Sequence, residues 1–245
     1  DPGLLGVNAG ASAAVVVAIA YLGVTSVGGY LWFALAGAAV ASVGVYMLGS
    51  AHRSAATPAR MALAGAAVAT AITALTSMVL ISNEAAFNQF RFWAVGSLQG
   101  RGGDVIVAVL PFVIVGIVLS LLLIRPLNAI GLGEDVAKGL GASTGPARVG
   151  SAVAVILLAG AATAAAGPLG FVGLAAPHIV RGVVGPDLRF LLPCVLVVAP
   201  AFLLLADVLG RVAAAPGDLQ TGIAVAVLGG PLFVALVRSR RVASL

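Results

Sequence analysis

One cysteine, one lysine and two histidines are all that the 245 residues offer of the side chains most used in covalent chemistry and metal binding. The single thiol, Cys194, excludes a disulfide within the chain and any multi-cysteine metal site. His52 and His178 lie far apart, without an HExxH spacing or a cysteine partner, so no metal site is expected. Lys138 is followed by Gly139 and not by serine or threonine, which rules out the Gly-Lys-Ser/Thr of a phosphate-binding loop. No GxGxxG follows a strand, and no serine is read as sitting in a G-x-S-x-G elbow. Neither hydrolase nor oxidoreductase has a foothold, and no cofactor is implied.

Charge is scarce as well, at 9% of residues against 61% apolar, with a mean hydropathy of +1.17. Soluble domains carry roughly 25% charged residues, so most of this chain must face lipid or other helices. The 32 glycines suit helices packed closely through small residues in lipid. The short alternating segments of a membrane barrel are absent. The basic excess, 13 Lys+Arg against 8 Asp+Glu, falls between apolar runs, which points to membrane topology and not to nucleic acid.

A spanning helix needs about 20 apolar residues. Runs at 8–23, 31–49, 61–82, 104–124, 149–166, 169–184, 190–213 and 219–237 predict an all-α, polytopic membrane protein with about eight crossings. The first and sixth are short, and Pro177 in the sixth favours a kink or break. Eight crossings put both visible ends and alternate connections on one side. That side holds Arg53, Arg60, Arg125, Lys138, Arg148, Arg181, Arg189, Arg238, Arg240 and Arg241, and the other only Arg91, Arg101 and Arg211. The positive-inside rule makes the first side cytosolic.

Two connections are long enough to carry structure. In 83–103, Phe87, Phe90, Phe92 and Trp93 predict a short helix lying at the interface, where aromatic rings anchor in any case. In 125–148, Gly133 can act as N-cap, Glu134 and Asp135 suit a helix start and Lys138 its end, with Gly139 and Gly141 as stops. Val136, Ala137 and Leu140 fall close to one face, so a short amphipathic helix is expected there, for a soluble partner or for the headgroups. Asp207, near the external end of the seventh span, is the candidate for an ionisable residue inside the membrane, and Arg211 follows at i+4. That order favours a local ion pair, and a proton relay is the other reading of the same carboxylate.

The stretch 167–189, GPLGFVGLAAPHIVRGVVGPDLR, resembles the FecCD family of bacterial ABC-transporter permeases. DPGLLGVNAGA at 1–11, FWAVGSL at 92–98, GEDVAKGLG at 133–141, LLLADVLGR at 203–211 and PGDLQTGIAVAVLGGPLFVALV at 216–237 are similar to further segments of that family, in the same order. The family motif would include Gly167, Pro168, Gly170, Phe171, Gly173, Pro177, His178 and Arg181. The resemblance implies a ten-helix permease in the bacterial cytoplasmic membrane, of which 1–245 would be a single domain comprising helices three to ten. It implies a second permease subunit, two cytosolic ATP-binding subunits and an external substrate-binding protein. The cargo would be an iron–siderophore first, haem or cobalamin next.

Carried over residue by residue, Gly133, Glu134, Asp135, Val136, Ala137, Leu140 and Gly141 would form the helix that docks on the ATPase. Arg211, steadied by Asp207, would meet acidic residues of the binding protein. Thr70, Thr73, Thr76 and Ser77 in 61–82 would line the path, or else bond their own backbone or a neighbouring helix. An ion-coupled transporter working alone and a metal-ion ABC permease are the alternatives; both call for more charge or more metal ligands in the spans.

Overall fold

The structure, a computed structural model, describes residue 3 and residues 6–24, 26–50, 58–217 and 219–238. Asp1, Pro2, Leu4 and Leu5 of the opening motif, His52 and Arg53, Asp218, and Arg240 and Arg241 lie outside the described residues. The described chain forms eleven α-helices and no strand. It divides into two compact units, one of Asp1–Ala94, Gly100–Val118 and Ala152–Pro168, the other of Val95–Gln99, Leu119–Ser151 and Leu169–Leu245.

The first unit is organised by α1 (Val7–Leu22) and α2 (Val27–Ser50), with α3 (Pro58–Ser82) packed against both. Gly10 and Gly37 face each other where α1 crosses α2, and a Cβ on either would collide with the other's carbonyl oxygen. The backbones can meet only because neither residue has a side chain. Gly23 ends α1 in the left-handed conformation (φ 63°) and returns its N–H to the Ala18 carbonyl.

Around that crossing Val7, Val15, Val16, Leu31 and Leu35 form a buried core. Helix α4 (Glu84–Val95) completes it. Asn83 caps α4 by accepting the Ala86 N–H at 2.9 Å, and its own amide donates to the Ala20 carbonyl at 3.3 Å. Phe90 and Trp93 are buried in this core, and the Trp93 ring meets Tyr30 edge-on at 6.4 Å. The expected interfacial helix is therefore a packed one, with these two rings in the buried cluster of α1 and α2. Phe87 remains exposed.

Helix α5 (Gly103–Leu122) contains Pro111, and its Gly116 leaves room for Leu158 of α8 (Thr144–Ala166). Thr163 of α8 donates its hydroxyl to Asn8 Oδ1 at 3.1 Å, tying α8 to the start of α1.

The second unit contains α6 (Ile124–Gly131), α7 (Glu134–Gly139), α9 (Val172–Val184), α10 (Leu188–Ala214) and α11 (Thr221–Arg238). Among the described residues five helices are long and apolar enough to cross a membrane: Gly28–Ser50, Ala59–Ser82, Gly103–Leu122, Thr144–Ala166 and Leu188–Ala214. The shorter apolar helices Val7–Leu22, Val172–Val184 and Thr221–Ala235 match the first, sixth and eighth expected spans, the last beginning two residues later than the hydropathy suggested. Within the best apolar window of α3 only 11% is buried, and the same holds for α5, so both helices are built to face lipid or another subunit.

Helix α9 runs unbroken through Pro177. The break expected at Pro177-His178 does not form, since His178 Nδ1 is bonded to the Leu174 carbonyl at 2.7 Å and the ring packs edge-on against Phe233. The strained position is six residues before Pro177. Phe171 has φ 64°, the only described non-glycine residue in the left-handed region, and its carbonyl opens α9 by accepting from Leu174 and Ala175. Gly229 makes this possible, because a Cβ there would stand 2.7 Å from the Phe171 Cβ.

Candidate functional site

At the C-terminal end of α10, Asp207 is 7% exposed and both its oxygens are engaged. Arg211 Nε donates to Oδ2 at 2.8 Å, and the Thr221 hydroxyl donates to Oδ1 at 2.5 Å. The fully buried Thr221 in turn accepts the Leu98 N–H at 3.1 Å. Next to it, Gly222 donates its N–H to the Gly96 carbonyl at 3.0 Å, and a Cβ on Gly222 would collide with the Val95 carbonyl. The 95–98 segment is thus held backbone to backbone against the start of α11. The expected Asp207–Arg211 pair is present, while Thr221 and Leu98 were not singled out from the sequence. An Asp at one helix end and a Thr opening the next helix after a Pro-Gly turn was the available signal. With one oxygen on a hydroxyl and the other on a guanidinium, this carboxylate ties α10 to the start of α11. Arg211 keeps 43% of its side chain exposed and can meet a partner's carboxylate.

The second cluster lies on α6, α7 and the start of α8. Gly133 precedes α7 at φ 109°, a conformation closed to residues with a Cβ, and caps it without a side-chain bond. Gly141, at φ 77°, ends it in a Schellman turn, with Ala142 N–H on the Ala137 carbonyl at 2.9 Å and Gly141 N–H on the Lys138 carbonyl at 3.0 Å. Ala137 is buried, whereas Val136 and Leu140 are 50% and 67% exposed. The three do not share a buried face. A six-residue helix presents a single turn inward, so only Ala137 packs and the two larger side chains stand free for a partner. Asp135 is exposed.

Glu134 is bridged by Lys138 Nζ at 3.2 Å and Arg148 Nη2 at 2.7 Å, and these two hold its carboxyl below the usual range. Ser143 stands between Gly141 and Gly145, a G-x-S-x-G spacing that the sequence reading passed over. It follows a helix and not a strand, so it forms no nucleophile elbow.

The four hydroxyl candidates on α3 separate. Thr70, Thr73 and Ser77 are exposed, and each donates to its own backbone four residues back, at 2.8, 2.7 and 2.9 Å. Thr76 makes the same kind of bond to Ile72 at 2.8 Å but is buried against an apolar groove of about 470 Å³ with Gly10, Gly37 and Val79. Of the family-motif residues, Gly167 (φ 81°) and Phe171 shape the turn into α9, Pro177 and His178 lie within α9, and Arg181 ends it at a cleft of about 770 Å³. Among the described residues no group of three or more His, Cys, Asp or Glu could hold a metal ion.

Long apolar helices joined by short polar ones define a multi-pass membrane protein. The chain belongs to the FecCD transport family, whose profile matches residues 1–239. It is 42% identical over 240 residues to the ferric enterobactin transport system permease protein FepD of Escherichia coli (strain K12), covering 98% of this chain and 72% of that one. It is 38% identical over 247 residues to the cobalamin import system permease protein BtuC of Halobacterium salinarum, covering 100% and 65% of the two chains. Its fold is similar to a solved chain described as a metal-chelate type ABC transporter in an inward-facing conformation, with TM-score 0.83, 26% identity and coverage of 97% of this chain and 75% of that one.

Proposed function

We propose that this chain is the permease subunit of an ATP-driven importer that carries a ferric siderophore or a similar chelate across the cytoplasmic membrane. The observation that supports it most is similarity over nearly the whole length to FecCD permeases of that chemistry. An ABC permease of this kind works with ATP-binding subunits and a substrate-binding protein. In this reading hydrolysis takes place on the ATP-binding subunits, and a second permease subunit supplies the other half of the path. Residues 1–245 act as one permease domain with Gly133–Gly141 and Arg148 toward the cytosol and Arg211 outside. The exposed Val136 and Leu140 suit the ATPase surface, and Arg211 suits acidic residues of the binding protein. Thr70, Thr73 and Ser77 offer weakly polar groups to the path.

The deciding experiment reconstitutes the full-length transporter with its ATPase and binding protein in proteoliposomes. Uptake of ⁵⁵Fe-labelled ferric enterobactin, ferric citrate and labelled cobalamin is then measured with and without ATP. ATP-dependent accumulation of one chelate is expected, and uptake at the same rate without ATP overturns the reading. In the same system, Glu134→Lys with Leu140→Glu should leave uptake uncoupled from hydrolysis; unchanged coupling removes Gly133–Gly141 from that role.

A further inference from the structure

We infer that Asn128 and Asp187 are a positioning pair, the joint through which the α6–α7 segment moves α10. The inference rests on the import reading above and extends it from the coupling segment to the helix that carries Arg211.

Asn128 spends both ends of its amide on the first turn of α10. Its Nδ2 donates to Asp187 Oδ1 at 2.7 Å, and its Oδ1 accepts the Leu188 N–H at 3.1 Å. Asp187 is also the N-cap of α10, accepting the Arg189 N–H on the same Oδ1 at 2.9 Å. That backbone bond first, and the Asn128 amide second, hold the Asp187 carboxyl below the usual range. A bond to an ionised acceptor is stronger than one between neutral groups, so the joint is firm while the carboxylate is charged.

Among the described residues these are the side-chain hydrogen bonds that tie α6 to another helix. Helix α6 packs on α7 and α10, yet none of its eight residues is buried. A helix whose side chains are at most half-buried depends more on its polar bonds for register than one with a core face. Beside the joint lies the cleft of about 770 Å³, lined by Leu127, Leu132, Leu140, Arg181 and Pro186. This gives the segment space to shift without unpacking a core, and Leu140 of the proposed ATPase-facing surface is part of its wall. Arg148 holds the other end of the segment through Glu134.

From Asp187, α10 runs roughly 30 to 36 Å at 1.5 Å per residue to the Asp207–Arg211 pair. One helix is therefore fixed at both ends by carboxylates, Asp187 to α6 and Asp207 to α11 and the 95–98 segment. A displacement imposed at α6 is delivered to the first turn of α10 by Asn128, and a partner bound at Arg211 biases the same helix from its far end. Coupling of this kind is reciprocal in its binding energies. It requires an element with two arrangements that both sites bias, and α10, with Pro193 and Pro200 inside it, is the element assigned that part.

The test uses the complete transporter in proteoliposomes, with ⁵⁵Fe-labelled ferric enterobactin as the probe. Asn128→Leu removes both bonds at similar size, and Asn128→Asp sets two carboxylates against each other. The exchanged pair, Asn128→Asp with Asp187→Asn, rebuilds donor and acceptor in reverse and keeps a good N-cap at 187. Both single variants should still co-purify with the ATPase and hydrolyse ATP at a rate within about twofold of the unchanged protein. Transport per ATP should fall about tenfold or more, the scale of one lost charge-assisted bond, and the exchanged pair should recover most of it. Normal transport per ATP in both single variants overturns the joint, and so does an exchanged pair that recovers nothing. Amide exchange read on the same proteins separates the two proposals. If the unchanged transporter takes up none of the chelates, the import reading fails. The joint then stands if Asn128→Leu speeds exchange at Leu188 and within 124–131, and falls if those amides are unchanged.

Discussion

Arg211 Nε reaches Asp207 Oδ2 at 2.8 Å one turn along α10, while the opposite oxygen of the same carboxylate takes the Thr221 hydroxyl at 2.5 Å. One buried anion thus holds a guanidinium that faces outward and a hydroxyl that faces inward. The two partners differ in what their loss should cost.

Asp207→Ala leaves the Thr221 hydroxyl buried without its acceptor, and should cost about 1–3 kcal/mol in thermal unfolding of the detergent-solubilised protein. Arg211→Gln should cost under about 1 kcal/mol, because its side chain is 43% exposed and solvent screens the pair. Arg211→Glu should weaken capture of the loaded binding protein, measured by surface-immobilised titration. If capture and uptake both stay normal, Arg211 serves the pair alone.

Gly37→Ala and Gly44→Ala place the same methyl group in two environments on α2. At Gly37 it meets the Gly10 carbonyl and sits 2.6 Å from the Ala14 Cβ, whereas at Gly44 nothing lies within 4 Å. Overpacking at Gly37 should cost about 1–3 kcal/mol, and Gly44→Ala should be neutral or stabilise by up to about 1 kcal/mol through helix propensity. Equal melting temperatures would show that α1 and α2 do not approach so closely.

Lys138 and Arg148 lower the Glu134 carboxyl, so the pH dependence of α7 has a fixed sign. A depressed folded-state pKa contributes stability that is fully present above the unfolded value, near ~4.3, and is lost as pH falls through the lower folded value. Amide protection across 134–142 should therefore be flat from neutral pH down to about 5 and decline only in acid below that. Glu134→Gln should show the acid-state protection at every pH. A decline between pH 7 and 6 would assign the titration to some other group.

Much of this molecule was legible as a string. Continuous apolar runs mark helices wherever they occur, because burial in hydrocarbon is decided over about 20 neighbouring residues without reference to the rest of the fold. The glycines around α7 and the i, i+4 order of Asp207 and Arg211 were readable for the same reason: each is a relationship within one or two turns of helix.

What the sequence could not decide is which distant groups share a bond. The Thr221 hydroxyl on Asp207, the Leu98 N–H on Thr221 and the Asn128 amide on Asp187 join residues 14, 123 and 59 positions apart. Hydrophobic period says nothing about such pairs, which follow from where helices are brought to meet. The same holds for Phe90 and Trp93, whose rings suit a membrane interface and a protein core equally by composition. Only the tertiary structure places them in the buried cluster with Tyr30 and Leu31. Pro177 shows the converse, since a local rule for a break yielded to a helix held on both sides by its neighbours. The sequence by itself determined that the chain lives in a membrane and where its helices run. The tertiary structure decided which polar residues hold those helices together, because an unpaired polar group in lipid is costly and its partner is fixed by packing.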